Sequence, residues 1–185
     1  MYLLDVEPLD LGPDVRAIGL ELTEADENRE PVRGLDAAKI WSRVLRATAA
    51  DEVWALDFFS HLDRVRDYCK LHHLEYREAG SRSMVIPAPA ELPALQSLLD
   101  RFQNETFGAR AGALVTKGDP ALEGELARRG ADAYHTAFSN YFFCAICGFE
   151  DGSLVFLSEK LWASEVIRRA RPALEGQDVE IRLPS

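Results

Sequence analysis

Between Val53 and Thr116 the apolar residues switch between a two-residue and a 3.6-residue repeat, and that order restricts the fold more than any other feature of the chain. Val53-Trp-Ala-Leu-Asp-Phe58 reads as a strand. Ser60, followed three residues later by Asp63, forms a variant capping box that opens a helix with Leu62, Val65, Cys69 and His72 along one face. Leu74 to Glu78 and Ser83 to Ile86 flank Ala79-Gly80-Ser81-Arg82, a short glycine-containing connection that predicts a hairpin. Pro87, Pro89 and Pro93 close the second of these strands and start a helix carrying Leu95, Leu98, Leu99 and Phe102. Ala113 to Thr116 supplies another strand.

The succession strand, helix, strand, strand, helix, strand is the split βαβ arrangement termed ferredoxin-like, expected over about 53–116. Each helix crosses over to the same side of a mixed or antiparallel sheet, so both apolar stripes are buried on one face. The opposite face is open or covered by a further element. The expected class is therefore α/β or α+β with a central βαββαβ unit.

On the N-terminal side, Ile18, Leu20 and Leu22 alternate within a strand expected from Val15 to Leu22. Asp36 is placed to cap a helix bearing Ala38, Trp41, Val44, Leu45 and Thr48, which should bury Trp41. On the C-terminal side an αβββαβ extension is expected over about 119–183. It begins with Asp119-Pro120 as cap and first helical residue, Leu122 and Leu126 on one side, and Gly130 at the C-terminus. Strands follow at Ala133 to Phe138, Tyr141 to Phe149 and Leu154 to Leu157, the last two joined by Glu150-Asp151-Gly152. Ser158 caps a helix with Leu161, Trp162, Val166, Ile167 and Ala170, limited by Pro172, and Val179 to Leu183 alternates as a final strand. Ala38-Lys39-Ile40-Trp41 with Val44-Leu45-Arg46 faintly echoes Glu159-Lys160-Leu161-Trp162 with Val166-Ile167-Arg168, each helix preceding a strand. A chain of 185 residues, 47% hydrophobic and 28% charged, is expected to form a single compact domain with a substantial core.

Lys and Arg total 21 against 31 Asp and Glu, for a formal charge of −10. Such a surface repels phosphate backbones and anionic lipid, which argues against nucleic acid and membrane as partners. Acids concentrate at Glu21, Glu24, Asp26, Glu27 and Glu30, either a solvated loop or a patch for a basic protein. Met1 to Glu7 lacks a positive leader and meets acids early, and the apolar stretch Tyr141 to Phe149 is far shorter than a membrane-spanning helix. Three cysteines, an odd number, point to reduced thiols, and the expected location is the cytoplasm.

Cys144-Ala-Ile-Cys147-Gly148 has the spacing with which a backbone knuckle aims two thiolates at one ion, and Cys69-Lys-Leu-His72 offers two more ligands one helical turn apart. Zinc held by Cys69, His72, Cys144 and Cys147 is the alternative this spacing offers to the leading expectation of no cofactor. Against it, Phe142, Phe143 and Ile146 give the pair the composition of a buried strand, in which free cysteines are small core residues. Asp57 and His61 straddle a strand end and a helix start, where a histidine can serve as general base. Lys117 before the Asp119 helix start could meet an anion, and His135 lies within an expected strand; an ordinary turn and a hydrogen-bonded histidine explain both. With no catalytic motif, the leading expectation is a non-catalytic binding or regulatory module acting through protein association, including self-association. A zinc-stabilised domain and a small-molecule enzyme with Asp57 and His61 are the alternatives.

Overall fold

Alternation of apolar and polar residues marks strands from the second residue onward. A computed structural model describes residues 1–10, 16–48, 52–57, 62–103, 111–116, 120–129, 144–147, 153–157 and 163–183; within these, only the backbone is described at 8–10, 16–17, 56–57, 103, 111–116, 122, 144–147, 153–157 and 163–166. The elements are β1 (Tyr2–Asp10), β2 (Arg16–Glu24), α1 (Gly34–Ala47), β3 (Glu52–Asp57), α2 (Asp63–Leu71), β4 (Arg77–Glu78) and β5 (Ser83–Pro87). They continue with α3 (Leu92–Gln103), β6 (Ala111–Thr116), α4 (Pro120–Arg129), β7 (Cys144–Cys147), β8 (Ser153–Leu157), α5 (Ala163–Ala173) and β9 (Val179–Arg182).

The chain is a mixed α/β protein whose strands join in the order β4-β5-β3-β6-β7-β8-β2-β1-β9. Every neighbouring pair is antiparallel except β1 and β9, which run parallel. Along the chain the order β1-β2-α1-β3 is followed by β7-β8-α5-β9, and the two antiparallel pairs meet through β2 and β8; residues 159–162 of the sequence echo lie outside the described residues.

One face of the sheet carries the main core. Leu4 and Val6 of β1, Ile18, Leu20 and Leu22 of β2, Val53 and Ala55 of β3, and Met84 and Ile86 of β5 pack there against the helices. The helices contribute Ala37, Ile40, Trp41, Val44 and Leu45 from α1, Val65 and Cys69 from α2, Leu95, Leu98, Leu99 and Phe102 from α3, and Ile167 and Ala170 from α5. Trp41 is fully buried, as its helical spacing predicts.

Several boundaries differ from expectation for identifiable reasons. Asp36 lies inside the first turn of α1, which starts two residues earlier, after Arg33; there the carboxylate meets the positive end of the helix dipole. The N-cap of α2 is Leu62, with no side-chain cap, and the proposed capping residue Ser60 lies outside the described residues. The hairpin around Gly80 forms, but β4 is only Arg77–Glu78. Pro172 sits inside the last turn of α5, not beyond it. Asp119, Gly130, the strand expected at Ala133 to Phe138, the 150–152 turn, Ser158, Leu161 and Trp162 lie outside the described residues.

The opposite, outer face of the sheet is treated differently at its two ends. Over β3 and β5 it is covered by α4: Trp54 and Val85 sit directly opposite each other in register, each almost fully buried, beside fully buried Leu126 of α4. Ser83 Oγ donates to the Leu126 carbonyl at 3.2 Å and also to the Ala79 carbonyl. Gly80 has φ +72°, and a Cβ there would stand 1.9 Å from the Ala127 carbonyl oxygen, so the hairpin meets the α4 backbone at a point only glycine permits.

Candidate functional site

The cysteines and histidines were the chemical candidates of the sequence, and the fold separates the two on α2. Cys69 is fully buried in the main core, and burial pushes its thiol up to about 11. His72 is exposed at the C-cap of the same helix, its amide bonded to the Tyr68 carbonyl at 3.0 Å and its ring tilted on that of Tyr68 with centroids 4.2 Å apart. The expectation that His72 continues the Leu62, Val65 and Cys69 face is therefore corrected: α2 ends before it, and the chain turns at His73, whose φ is +53°. Tyr68 Oη and Ser97 Oγ are 2.8 Å apart and join α2 to α3.

Cys144 and Cys147 begin and end β7, a strand paired on one side with β6 and on the other with β8. Their backbone is thus a ladder segment, not the tight turn of a metal knuckle; their side chains lie outside the described residues. Among the described residues no group of three or more His, Cys, Asp and Glu side chains converges as a metal site. Asp57 is the last residue of β3, in register with Ala111 of β6, with only its backbone described, and His61, Lys117 and His135 lie outside the described residues.

The outer face at the far end of the sheet gathers charge. Glu21 lies in β2, within the expected strand, and β2 runs on to Glu24, which the expected boundary at Leu22 left in the acidic loop; Glu21 is exposed directly opposite Asp5 of β1. Glu7 is exposed two residues further along β1, and Asp5 also faces Arg182 of β9, where exposed Glu180 and Arg182 lie 3.3 Å apart. Like charges directly opposite on a sheet face are destabilising.

One local device offsets that repulsion. Asp26 Oδ1 accepts the amides of Asn28 at 3.0 Å and Arg29 at 2.8 Å, fixing a turn in which Arg29 adopts φ +49°. That turn returns the Arg29 guanidinium to the Asp5 carboxylate. The Glu24 amide to the Glu30 carbonyl, 2.9 Å, and the Val32 amide to the Leu22 carbonyl, 2.9 Å, close the segment against β2. This ordered turn covers the outer-face residues Leu3 and Thr23, both buried, and leaves Glu7, Glu21, Glu180 and Arg182 in solvent.

Sequence reasoning missed β1 and with it Asp5 and Glu7. The signal was present: Tyr2, Leu4 and Val6 alternate with Leu3, Asp5 and Glu7. No described helix is long and apolar enough to cross a membrane. Comparison of the chain with protein-family models, with curated proteins and with solved structures finds no match.

Proposed function

We propose that this chain is a non-catalytic binding or regulatory module that works by protein association through the outer face of β2, β1 and β9. The observation that carries the reading is the Asp5–Glu21 juxtaposition, with exposed Glu7 and Glu180 beside it, on a face covered among the described residues only by the 25–31 turn. A partner bearing Lys or Arg would meet the exposed Glu7, Glu21 and Glu180, and such complementarity raises association rate and selectivity. In the same reading the 52–116 segment is a ferredoxin-like unit, supported by its antiparallel order β4-β5-β3-β6. A reducing, cytoplasmic setting suits the free buried thiol of Cys69.

The test is co-purification of the wild-type chain and of a Glu7→Lys/Glu21→Lys variant from the native cell, at low and high salt. The proposal predicts a stoichiometric partner with a basic surface, retained by the wild type at low salt, released by high salt and absent from the variant at equal thermal stability. A partner held equally by both chains, or none held by either, overturns it.

A further inference from the structure

Among the described residues no strand pairs with the outer edge of β9. Tyr2 N–H donates to the Asp178 carbonyl at 2.7 Å, and Tyr2 stands in register with Val179. In a parallel ladder of that register Asp178, Glu180 and Arg182 turn their amides and carbonyls toward β1, and Val179, Ile181 and Leu183 turn theirs outward. The Val179 amide is already used, closing onto the Gln177 carbonyl at 2.8 Å. What remains open along the edge is the N–H of Ile181 and Leu183 and the C=O of Val179, Ile181 and Leu183.

An antiparallel second copy, centred on Ile181, uses all of these groups but the Leu183 carbonyl, whose counterpart is the Val179 amide closed onto Gln177. Ile181 N–H donates to the carbonyl of the partner's Ile181 in both directions, and Leu183 N–H donates to the carbonyl of the partner's Val179 in both directions. The same register puts Glu180 opposite the partner's Arg182, and Arg182 opposite the partner's Glu180, at the non-hydrogen-bonded positions where side chains are closest. Leu183, 56% exposed, lies opposite the partner's Val179 on the side of the sheet that carries the main core. Sliding by one step in either direction instead opposes two Glu180 or two Arg182 side chains, so charge selects this register over its neighbours. Edge strands are commonly protected by charges that repel a second copy. Here the pair is self-complementary.

We infer that β9 is a homotypic interface: two copies of this chain join edge to edge through Val179–Leu183 in an antiparallel, two-fold arrangement. The inference rests on the association reading above and names a second copy as one partner. Among the described strands the other edge of the sheet is β4, of only two residues.

The test is sedimentation equilibrium of the full chain over a wide concentration range, for wild type, Glu180→Arg, Arg182→Glu, the double swap and an equimolar mixture of the two single variants. The wild type should dimerise, each single variant should dimerise at least about tenfold more weakly, and the double swap should recover. The mixture should form heterodimers, because one chain then carries two Arg and the other two Glu. A wild type that stays monomeric overturns the inference, as does dimerisation indifferent to the single reversals, or a mixture no more associated than its components. None of these substitutions touches Glu7 or Glu21, so partner capture lost only with the Glu7→Lys/Glu21→Lys variant tests the broader reading separately.

Discussion

The two ends of the sheet's outer face solve the same problem in opposite ways. At β3 and β5 the outward positions are Trp54, Ser83 and Val85, the chain covers them with α4, and Arg77 ties the cover down, lying 5.8 Å over the Trp54 ring, 3.7 Å from Glu52 and in contact with Glu123 of α4. Trp54 Nε1 donates to Glu52 at 3.2 Å, so the indole's polar atom is satisfied beneath its cover. At β1, β2 and β9 the outward positions are Asp5, Glu7, Glu21, Glu180 and Arg182, and only a turn pinned by Arg29 reaches over them. One sheet thus has a finished end and an end left with charge. The residue type at alternate strand positions records which is which.

The largest expected effect lies at the covered end. Trp54→Ala should destabilise the fold by about 3–5 kcal/mol, measured by urea unfolding, because it empties the space between sheet and α4. A loss under 1 kcal/mol, by that same principle's scale, would mean that α4 does not seal this face. Gly80→Ala comes next, at roughly 2 kcal/mol or more, combining a left-handed backbone with a clash against the α4 backbone. Its signature is increased protease sensitivity within 120–129 with the main core still folded.

The main core adds a pH-dependent test. The Cys69 thiol is raised by burial from 9.0 to about 11. Between those values the unfolded chain has released a proton that the folded chain keeps, so stability is intact below the window and falls as pH rises through it. The fall is on the order of 2 kcal/mol. Cys69→Ala should flatten that part of the alkaline unfolding profile, and an unchanged slope would show the thiol to be solvated.

The smallest effect belongs to the charged end. Glu21→Gln removes a like-charge opposition to Asp5 and should stabilise the chain by up to about 0.5 kcal/mol at low salt, fading as salt is added. Thermal melting at several salt concentrations measures it. A destabilisation would mean that Glu21 is already paired within the chain.

How much of this could be read in the sequence follows the same division. Continuous apolar runs such as Val53-Trp54-Ala55 and Met84-Val85-Ile86 belong to strands covered on both sides, and the helices with Trp41, Leu98 and Phe102 revealed their buried stripes by spacing. The joining of the nine described strands into one sheet was not legible, because the β2–β8 and β6–β7 pairings link segments far apart in the chain and leave no local mark. Cys69 and His72 looked equivalent by spacing, yet the helix ends between them and only one enters the core. Glu24 reads as a loop acid because the apolar alternation of β2 stops at Leu22, two residues before the strand does. Asp5 and Glu7 are hard to place from sequence because Leu3 and Leu4 interrupt the alternation of β1 just after it begins at Tyr2. Glu180 and Arg182 were visible as an alternating strand, but their mutual complementarity requires knowing that β9 is an edge.

Hydrogen–deuterium exchange as a function of protein concentration tests the contrast between the two ends most directly. The account predicts that the outward amides of Ile181 and Leu183 gain protection as concentration rises, while amides of β3 and β5 beneath α4 are protected equally at every concentration. Exchange at Ile181 and Leu183 that is fast at all concentrations, or concentration-dependent protection appearing at β3 and β5 instead, would contradict it.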